Sequence, residues 1–118
     1  MSTGASNIDE IREAVGWIEP KGNPLALLHC VLNYPTEEED ANLAMILDLK
    51  RTFPKNTIGY SDHTLGLNAT IVSVGLGARI IEKHFTKDKQ FSNFRDHQLS
   101  ADPKEMKQLI QSIREVEK

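Results

Sequence analysis

In the stretch Thr57-Ile-Gly-Tyr-Ser-Asp-His-Thr64 a short β-like run ends on His63, and the later run Arg79-Ile-Ile-Glu-Lys-His84 ends on a second histidine. An apolar, helix-like segment, residues 65–77, separates the two runs. A strand, a helix and a second strand in this order are typical of a βα unit with parallel strands. Because the carboxyl ends of parallel strands lie at one edge of a sheet, we expect both imidazoles to emerge close together.

The same alternation of helix and strand runs through the whole chain, without repeats or low-complexity tracts. We predict helices over residues 7–18, 37–53, 65–77 and from 102 onward, and strands over 25–31, 57–61 and 79–84. Met1-Ser-Thr-Gly4 is predicted to be the end of a further strand, and residues 86–101 are predicted to form a long polar loop. The pattern therefore indicates an α/β fold with a parallel sheet.

Local signals mark the predicted helix boundaries. Asn7 and Asp102 are each followed three residues later by a glutamate, which is the pattern of a capping box. The four acids of residues 37–40 are predicted to form the first turn of the second helix, where the helix dipole favours negative charge. The segment 65–77 carries no charged residue, so we expect that helix to be largely buried, either against its sheet or against another subunit.

Length and composition limit the class of protein. The 118 residues suit about one domain, whereas a complete (β/α)8 barrel needs roughly 250 residues, so the chain could form only about half of one. A net charge of −3 and a pI near 5.8 give no basic field for nucleic acid. No apolar run has the length of a membrane span, and the N-terminus lacks a signal-peptide pattern, so a soluble cytoplasmic protein is expected. The single cysteine, Cys30, is predicted to be a buried apolar side chain.

Polar residues follow each predicted strand, at the edge where parallel α/β proteins bind their ligands. Two histidines at neighbouring strand ends, about 4.8 Å apart, could both bind one metal ion at ~2.0–2.2 Å. Two protein ligands would leave positions open for a substrate, which indicates a catalytic rather than a structural metal site. Alternatively, each histidine only hydrogen-bonds a backbone group, and the pattern alone leaves both interpretations open.

Several motifs together resemble the sialic acid synthase (N-acetylneuraminate synthase) family. They are His29-Cys30 with Tyr34-Pro35-Thr36, then Gly59-Tyr-Ser-Asp-His-Thr-Leu-Gly66, then Gly77-Ala-Arg-Ile-Ile-Glu-Lys-His-Phe-Thr86, and finally Asp96-His97. Their order and spacing are similar to those of the family, and the likeness covers essentially the whole chain. The resemblance implies that residues 1–118 form the C-terminal half of the family's TIM (β/α)8 barrel.

The resemblance also implies a reaction and a cofactor. Phosphoenolpyruvate condenses with an N-acylated amino sugar aldehyde, such as N-acetylmannosamine, and phosphate is released. The resemblance implies that His63 and His84 bind a divalent metal, Mn²⁺ in the first place, with Mg²⁺ or Co²⁺ as alternatives. The metal would polarise the aldehyde of the sugar, and both imidazoles must be neutral to bind it.

Five further residues receive roles from the resemblance. Ser2 and Ser61 are expected to contact phosphoenolpyruvate, and Asn33 is expected to substitute for a family contact residue that this chain lacks. Tyr34 is expected to lie near the sugar. Asp96 is expected to contact the sugar or a water on the metal, so Tyr34 and Asp96 are the candidate catalytic residues.

Two neighbours of the histidines and one loop are less closely tied to the family pattern. Asp62 and Lys83 are expected either to orient the adjacent ligands or to act directly. The loop before Asp96 reads Ser92-Asn-Phe-Arg95, where the family usually carries Pro-Gly. The specificity for one sugar is expected to depend partly on this loop.

The family's first half-barrel and its small antifreeze-like domain have no counterpart within these 118 residues. A half-barrel would expose two sheet edges, which tend to pair with another chain, so we expect a homo-oligomer. Two functions remain open. The chain is either part of a sialic-acid-synthase-type enzyme or a non-catalytic half-barrel that binds a metal or an anion or serves as an assembly module.

Overall fold

Three parallel strands form the centre of the molecule in a computed structural model that describes residues 1–118. The strands are β1 (Ala26–His29), β2 (Thr57–Asp62) and β3 (Ile80–Lys83), and they lie side by side in the order β1-β2-β3. Ser2 pairs in parallel with Leu28, so the N-terminal residues extend the sheet beside β1, as predicted. The predicted α/β fold with parallel strands is confirmed.

Five α-helices connect or flank the strands, namely α1 (Ile8–Ile18), α2 (Met45–Thr52), α3 (Asn68–Gly75), α4 (Arg95–Leu99) and α5 (Pro103–Val116). Both predicted capping boxes form. The side chain of Asn7 caps α1 and that of Asp102 caps α5, and the glutamate three residues on bonds back to each cap. None of the helices combines the length and the apolar character that crossing a bilayer would require.

The second helix starts later than predicted. Glu38–Asp40 form a separate 3-10 turn, and α2 begins only at Met45. Between them Asn42 has a φ of 47°, a left-handed conformation that a right-handed helix cannot include. The acidic run therefore does not form the first turn of α2, and that prediction is wrong.

Two further predictions about helices need correction. α3 buries only Ala69, Thr70 and Ser73, while Val72 is 52% exposed. Its buried face thus consists of small and hydroxyl side chains, so this helix is only partly buried against its own sheet, and its burial against another subunit stays a prediction. The predicted loop over 86–101 contains a short helix, α4, which carries Asp96.

One face of the sheet packs against the helices through a single apolar core. This core includes Ile11, Val15, Leu27, Ile46, Leu49, Ile58, Tyr60 and Ala69. Because successive strand residues point to opposite faces, the alternate residues define a second face, here called the inner face: Leu28, Cys30, Gly59, Ser61, Ile80 and Glu82. No helix covers Ile80 there, and it is 39% exposed. By the same alternation, His63 and His84, which follow β2 and β3, lie on the inner face.

Candidate functional site

Three aromatic rings meet at the carboxyl ends of the strands. The Tyr34 ring stacks on His63 with centroids 4.1 Å apart, and it meets the edge of His84 at 5.8 Å. The two imidazoles lie 5.4 Å apart and nearly perpendicular, at 84°. The predicted proximity of His63 and His84 is therefore confirmed, and Tyr34 joins them.

The position of His63 is fixed by the backbone of the preceding strand end. Its Nδ1 atom donates a hydrogen bond to the carbonyl oxygen of Val31 at 2.8 Å, and the side chain is buried. A carbonyl oxygen can only accept, so in the neutral imidazole the proton sits on Nδ1 and the lone pair on Nε2. This second nitrogen is the one that a metal ion could bind. A backbone hydrogen bond and metal binding are therefore compatible for His63.

α4 brings two charged residues to the edge of the ring cluster. The Asp96 carboxylate approaches Nδ1 of His84 at 3.8 Å, beyond hydrogen-bond distance. The Arg95 guanidinium lies 5.3 Å from the centroid of the Tyr34 ring, within range of a cation–π contact. Asp96 therefore lies beside His84, and its predicted contact with the sugar or with a water on the metal stays a prediction. Arg95 was not assigned a role from the sequence, because its contact depends on how α4 folds back.

The predicted substrate contacts lie around the rings rather than among them. Ser61 is buried on the inner face, where its hydroxyl donates to the Glu82 carboxylate at 2.6 Å. Ser2 and Asn33 are exposed, and the backbone carbonyl of Asn33 accepts a hydrogen bond from Thr36. No role for Glu82 was predicted from the sequence. The register of the parallel strands, which sets Ser61 opposite Glu82, is the feature that would have indicated this contact.

A buried polar network lies directly behind the histidines, on the helix side of the sheet. Asp62 forms an ion pair with Lys83, with 2.8 Å between Nζ and Oδ2. Burial by itself raises the pKa of the Asp62 carboxyl, but the Lys83 ammonium and the hydrogen bonds from Lys83, Thr70 and Thr64 outweigh burial and lower this pKa. Burial, reinforced by the Asp62 charge, raises the pKa of the Tyr60 phenol well above its usual range. Asp62 is therefore a permanent anion at neutral pH.

The separation of the two imidazoles is compatible with a shared metal ion. An imidazole centroid lies ~3.2 Å from an ion that its nitrogen binds at ~2.1 Å, so two ligands of one ion have centroids at most ~6.4 Å apart. The observed 5.4 Å falls within this limit. No group of three or more His, Cys, Asp and Glu side chains is arranged to hold a metal. An ion at the pair would therefore take its remaining ligands from water, substrate or another chain.

The fold and this site first define a class. Parallel strands in chain order, flanked by helices and ending in polar side chains, are the architecture of TIM-barrel-type α/β proteins. The chain belongs to the NeuB family, whose sequence profile matches residues 1–118. The predicted family resemblance is thereby confirmed.

Relatives and solved structures agree with this assignment. The chain is 54% identical to an uncharacterized protein of Methanocaldococcus jannaschii, over 100% of this chain and 35% of the relative. It is 46% identical to the N,N'-diacetyllegionaminic acid synthase of Legionella pneumophila, over 99% of this chain and 34% of the relative. The crystal structure of N-acetylneuraminic acid (sialic acid) synthetase from Leptospira borgpetersenii, in complex with citrate, superposes with a TM-score of 0.93. Its sequence identity is 41%, over 98% of this chain and 40% of that chain. The chain thus spans about a third of the length of its curated relatives.

Proposed function

We propose that the chain forms part of a cytoplasmic enzyme that condenses phosphoenolpyruvate with an N-acylated amino sugar aldehyde to give a nonulosonic acid. The pair His63 and His84, which lies beside Tyr34 at the strand ends, carries this proposal. It occurs in a chain whose relatives include proteins named as legionaminic acid and sialic acid synthases. The remaining parts of the active site would come from outside these residues.

The proposed reaction forms one carbon–carbon bond and breaks one carbon–oxygen bond. C3 of phosphoenolpyruvate bonds to the aldehyde carbon, and the aldehyde oxygen takes up a proton. Water adds at C2 and releases one proton. The bond between C2 and the bridging oxygen then breaks, phosphate leaves with that oxygen, and the new C2 hydroxyl gives up its proton so that C2 becomes a ketone. A divalent ion, Mn²⁺ in the first place, would supply Lewis-acid polarisation of the aldehyde when held by His63 and His84.

The chain's own residues would bind and orient the reactants. Tyr34 covers one face of His63 and keeps that ring in place through stacking. Asp96, whose carboxylate lies 3.8 Å from Nδ1 of His84, would accept a hydrogen bond from a sugar hydroxyl. Ser61 would turn from Glu82 toward the phosphate or carboxylate of phosphoenolpyruvate. Ser2 remains a proposed contact on the same side.

Asn33 is the least supported of the proposed substrate contacts. Its side chain is exposed and has no hydrogen bond to the ring cluster, and only its backbone carbonyl is engaged, by Thr36. Substrate would have to approach from the loop that joins β1 to α2 for Asn33 to reach it. The effect of Asn33→Ala on the Michaelis constant for phosphoenolpyruvate tests this contact.

Phosphate release tests the proposed reaction. Phosphoenolpyruvate, N-acetylmannosamine and Mn²⁺ are mixed with the chain alone, and with the chain plus the N-terminal half-barrel of a relative. Phosphate release by either mixture supports the proposal if it is abolished by His63→Ala and preserved by His97→Ala. His97 is a matched control because it is an imidazole whose Nδ1 is engaged by the Thr86 hydroxyl and whose ring lies beside Phe91. No release from either mixture would contradict it.

Exposed apolar side chains on and beside the inner face favour a second candidate, an assembly module. Ile80 on that face is 39% exposed and Leu32 beyond β1 is 58% exposed, which leaves apolar area for another half-barrel. Under this alternative two copies associate through their inner faces with no catalysis. Light scattering decides the point, since a monodisperse monomer without release activity would exclude a homo-oligomer of this kind.

A further inference from the structure

Asp62 and Lys83 form a deeply buried ion pair. The proposed reaction assigns no role to either residue. The two side chains are 0% and 2% exposed, and Nζ lies 2.8 Å from Oδ2. Burying two charges costs desolvation energy that their attraction often fails to recover. An apolar pair of similar size would fill the same space without that cost, so the charges call for another explanation.

The Asp62 carboxylate gathers donors from several elements. Its Oδ1 accepts hydrogen bonds from the backbone and hydroxyl of Thr64, each at 2.8 Å, and from the Tyr60 hydroxyl at 3.2 Å. Its Oδ2 accepts from Lys83 and from Thr70 of α3. Lys83 also donates to the carbonyl oxygen of Thr64 at 3.0 Å. These contacts fix the ends of β2 and β3 and the start of the following loop as one unit.

Further backbone contacts connect this unit to the loop that follows β1. Thr64 pairs in parallel with Thr36, and the backbone N–H of Thr36 donates to the carbonyl oxygen of His63 at 2.9 Å. Thr36 follows Tyr34 by two residues. The same network therefore holds the backbone beneath Tyr34 as well as the backbone beneath His63.

The position of the pair in the sequence relates it to the rings. Asp62 directly precedes His63, Lys83 directly precedes His84, and Asp62 and Lys83 are register partners in the sheet. Successive strand residues point to opposite faces, so the ion pair lies on the helix side and the imidazoles emerge on the other. The ion pair therefore joins the two residues that directly precede the rings.

We propose that Asp62 and Lys83 are positioning residues that hold His63 and His84 at the separation at which both can bind one metal ion. The inference rests on the proposed function for the role of the metal. It goes beyond that function because it assigns the geometry of the pair to a buried charge network on the opposite face of the sheet.

The test compares Asp62→Asn, Lys83→Met and the double variant in the 118-residue chain. Mn²⁺ affinity is measured from the electron paramagnetic resonance signal of the free ion, and folding from a urea titration. Each single variant leaves one buried charge unpaired, so both are expected to lose stability. The double variant removes both charges, so its stability is expected to recover toward that of the unmodified chain.

Metal affinity is expected to behave differently from stability. If Asp62 and Lys83 position the rings, the double variant stays about 10–100-fold weaker for Mn²⁺, the range typical of groups that orient ligands. A purely structural pair would instead let affinity recover together with stability. A double variant that is stable and binds Mn²⁺ as tightly as the unmodified chain would overturn the inference.

Two control variants and one metal-free measurement complete the design. Asp48→Asn removes an exposed ion pair with Arg51, and Leu109→Ala weakens the core within α5. Both should leave Mn²⁺ affinity unchanged. If the unmodified chain binds no Mn²⁺, the proposed metal site fails, and the ring-to-ring nuclear Overhauser contacts of His63 and His84 decide the inference. Their persistence in the double variant would overturn it, and their loss would support it.

Discussion

The Nδ1 atom of His63 donates to the carbonyl oxygen of Val31 at 2.8 Å, so the end of one strand sets the protonation pattern of a ring on the next. The imidazole is thereby held in one tautomer, with its free lone pair on Nε2. This is the arrangement in which metal-binding histidines are commonly held by their surroundings. A main-chain acceptor is independent of side-chain identity at position 31, so substitutions there leave the tautomer in place.

The first prediction concerns this tautomer. In long-range ¹H–¹⁵N spectra of the neutral ring, His63 should show a protonated Nδ1 and an unprotonated Nε2. Addition of diamagnetic Zn²⁺ should shift the Nε2 signal of His63 far more than its Nδ1 signal. A ring protonated on Nε2 would contradict both the hydrogen bond and the proposed ligand atom.

The second prediction concerns the ligands themselves. His63→Ala and His84→Ala should each weaken Mn²⁺ binding by more than the ~10–100-fold that follows loss of an orienting group. Each variant removes one of only two imidazoles at the site. Isothermal titration calorimetry measures the effect, with His97→Ala as the control that should bind normally. Equal binding by all three variants would exclude the pair as the metal site.

The third prediction is a pH dependence of stability that comes from His29. Burial lowers the pKa of this imidazole, against a smaller opposing effect of its hydrogen bond with the Ala41 carbonyl. The unfolded chain therefore takes up a proton at a higher pH, near 6.5, than the folded chain does. The contribution of the neutral His29 ring to the free energy of unfolding is fully present above about pH 6.5. It is lost as the pH falls below that value, because the unfolded chain then binds a proton that the folded chain does not.

The measurement is urea unfolding at a series of pH values. The free energy of unfolding should fall below about pH 6.5 with a slope of at most ~1.4 kcal/mol per pH unit from this single group. His29→Gln should reduce the slope in that range, since it removes the titrating ring. An unchanged slope in the variant would assign the pH dependence to other groups.

The fourth prediction concerns two glycines. A Cβ at Gly59 would overlap the backbone oxygen of Ile80 and the side chain of Leu28. Gly59→Ala should therefore push β2 and β3 apart and lower the free energy of unfolding by about 1–3 kcal/mol. A Cβ at Gly16 in α1 would meet no other atom within 4 Å. Gly16→Ala should therefore raise the free energy of unfolding by ~0.5–1 kcal/mol, because alanine favours the helix. Urea midpoints measure both, and equal effects would contradict the close contact at Gly59.

The sequence was sufficient where a local pattern determines the structure. Strand ends follow from apolar runs, and parallel strands bring their ends to one edge, so the proximity of His63 and His84 could be predicted. The caps at Asn7 and Asp102 depend on residues three apart, and they could be predicted for the same reason.

The remaining features depend on contacts that no local pattern encodes. The start of α2 shifted because Asn42 adopts a left-handed conformation, which side-chain type alone does not impose. The contact of Arg95 with Tyr34 and the hydrogen bond of Ser61 with Glu82 join segments far apart in the chain. Each needs the register of the sheet or the path of α4, and the periodicity of one segment contains neither.

The order of the strands also bears on how the molecule is made. β1, β2 and β3 lie side by side in the order in which they leave the ribosome. Each strand therefore finds its neighbour already synthesised, and pairing needs only the closure of one helix-containing connection, whose entropy cost grows slowly with length. His84 comes from the last of the three. The two imidazoles consequently meet only once β3 has paired with β2, so capture of an ion by the pair would report that β3 has docked.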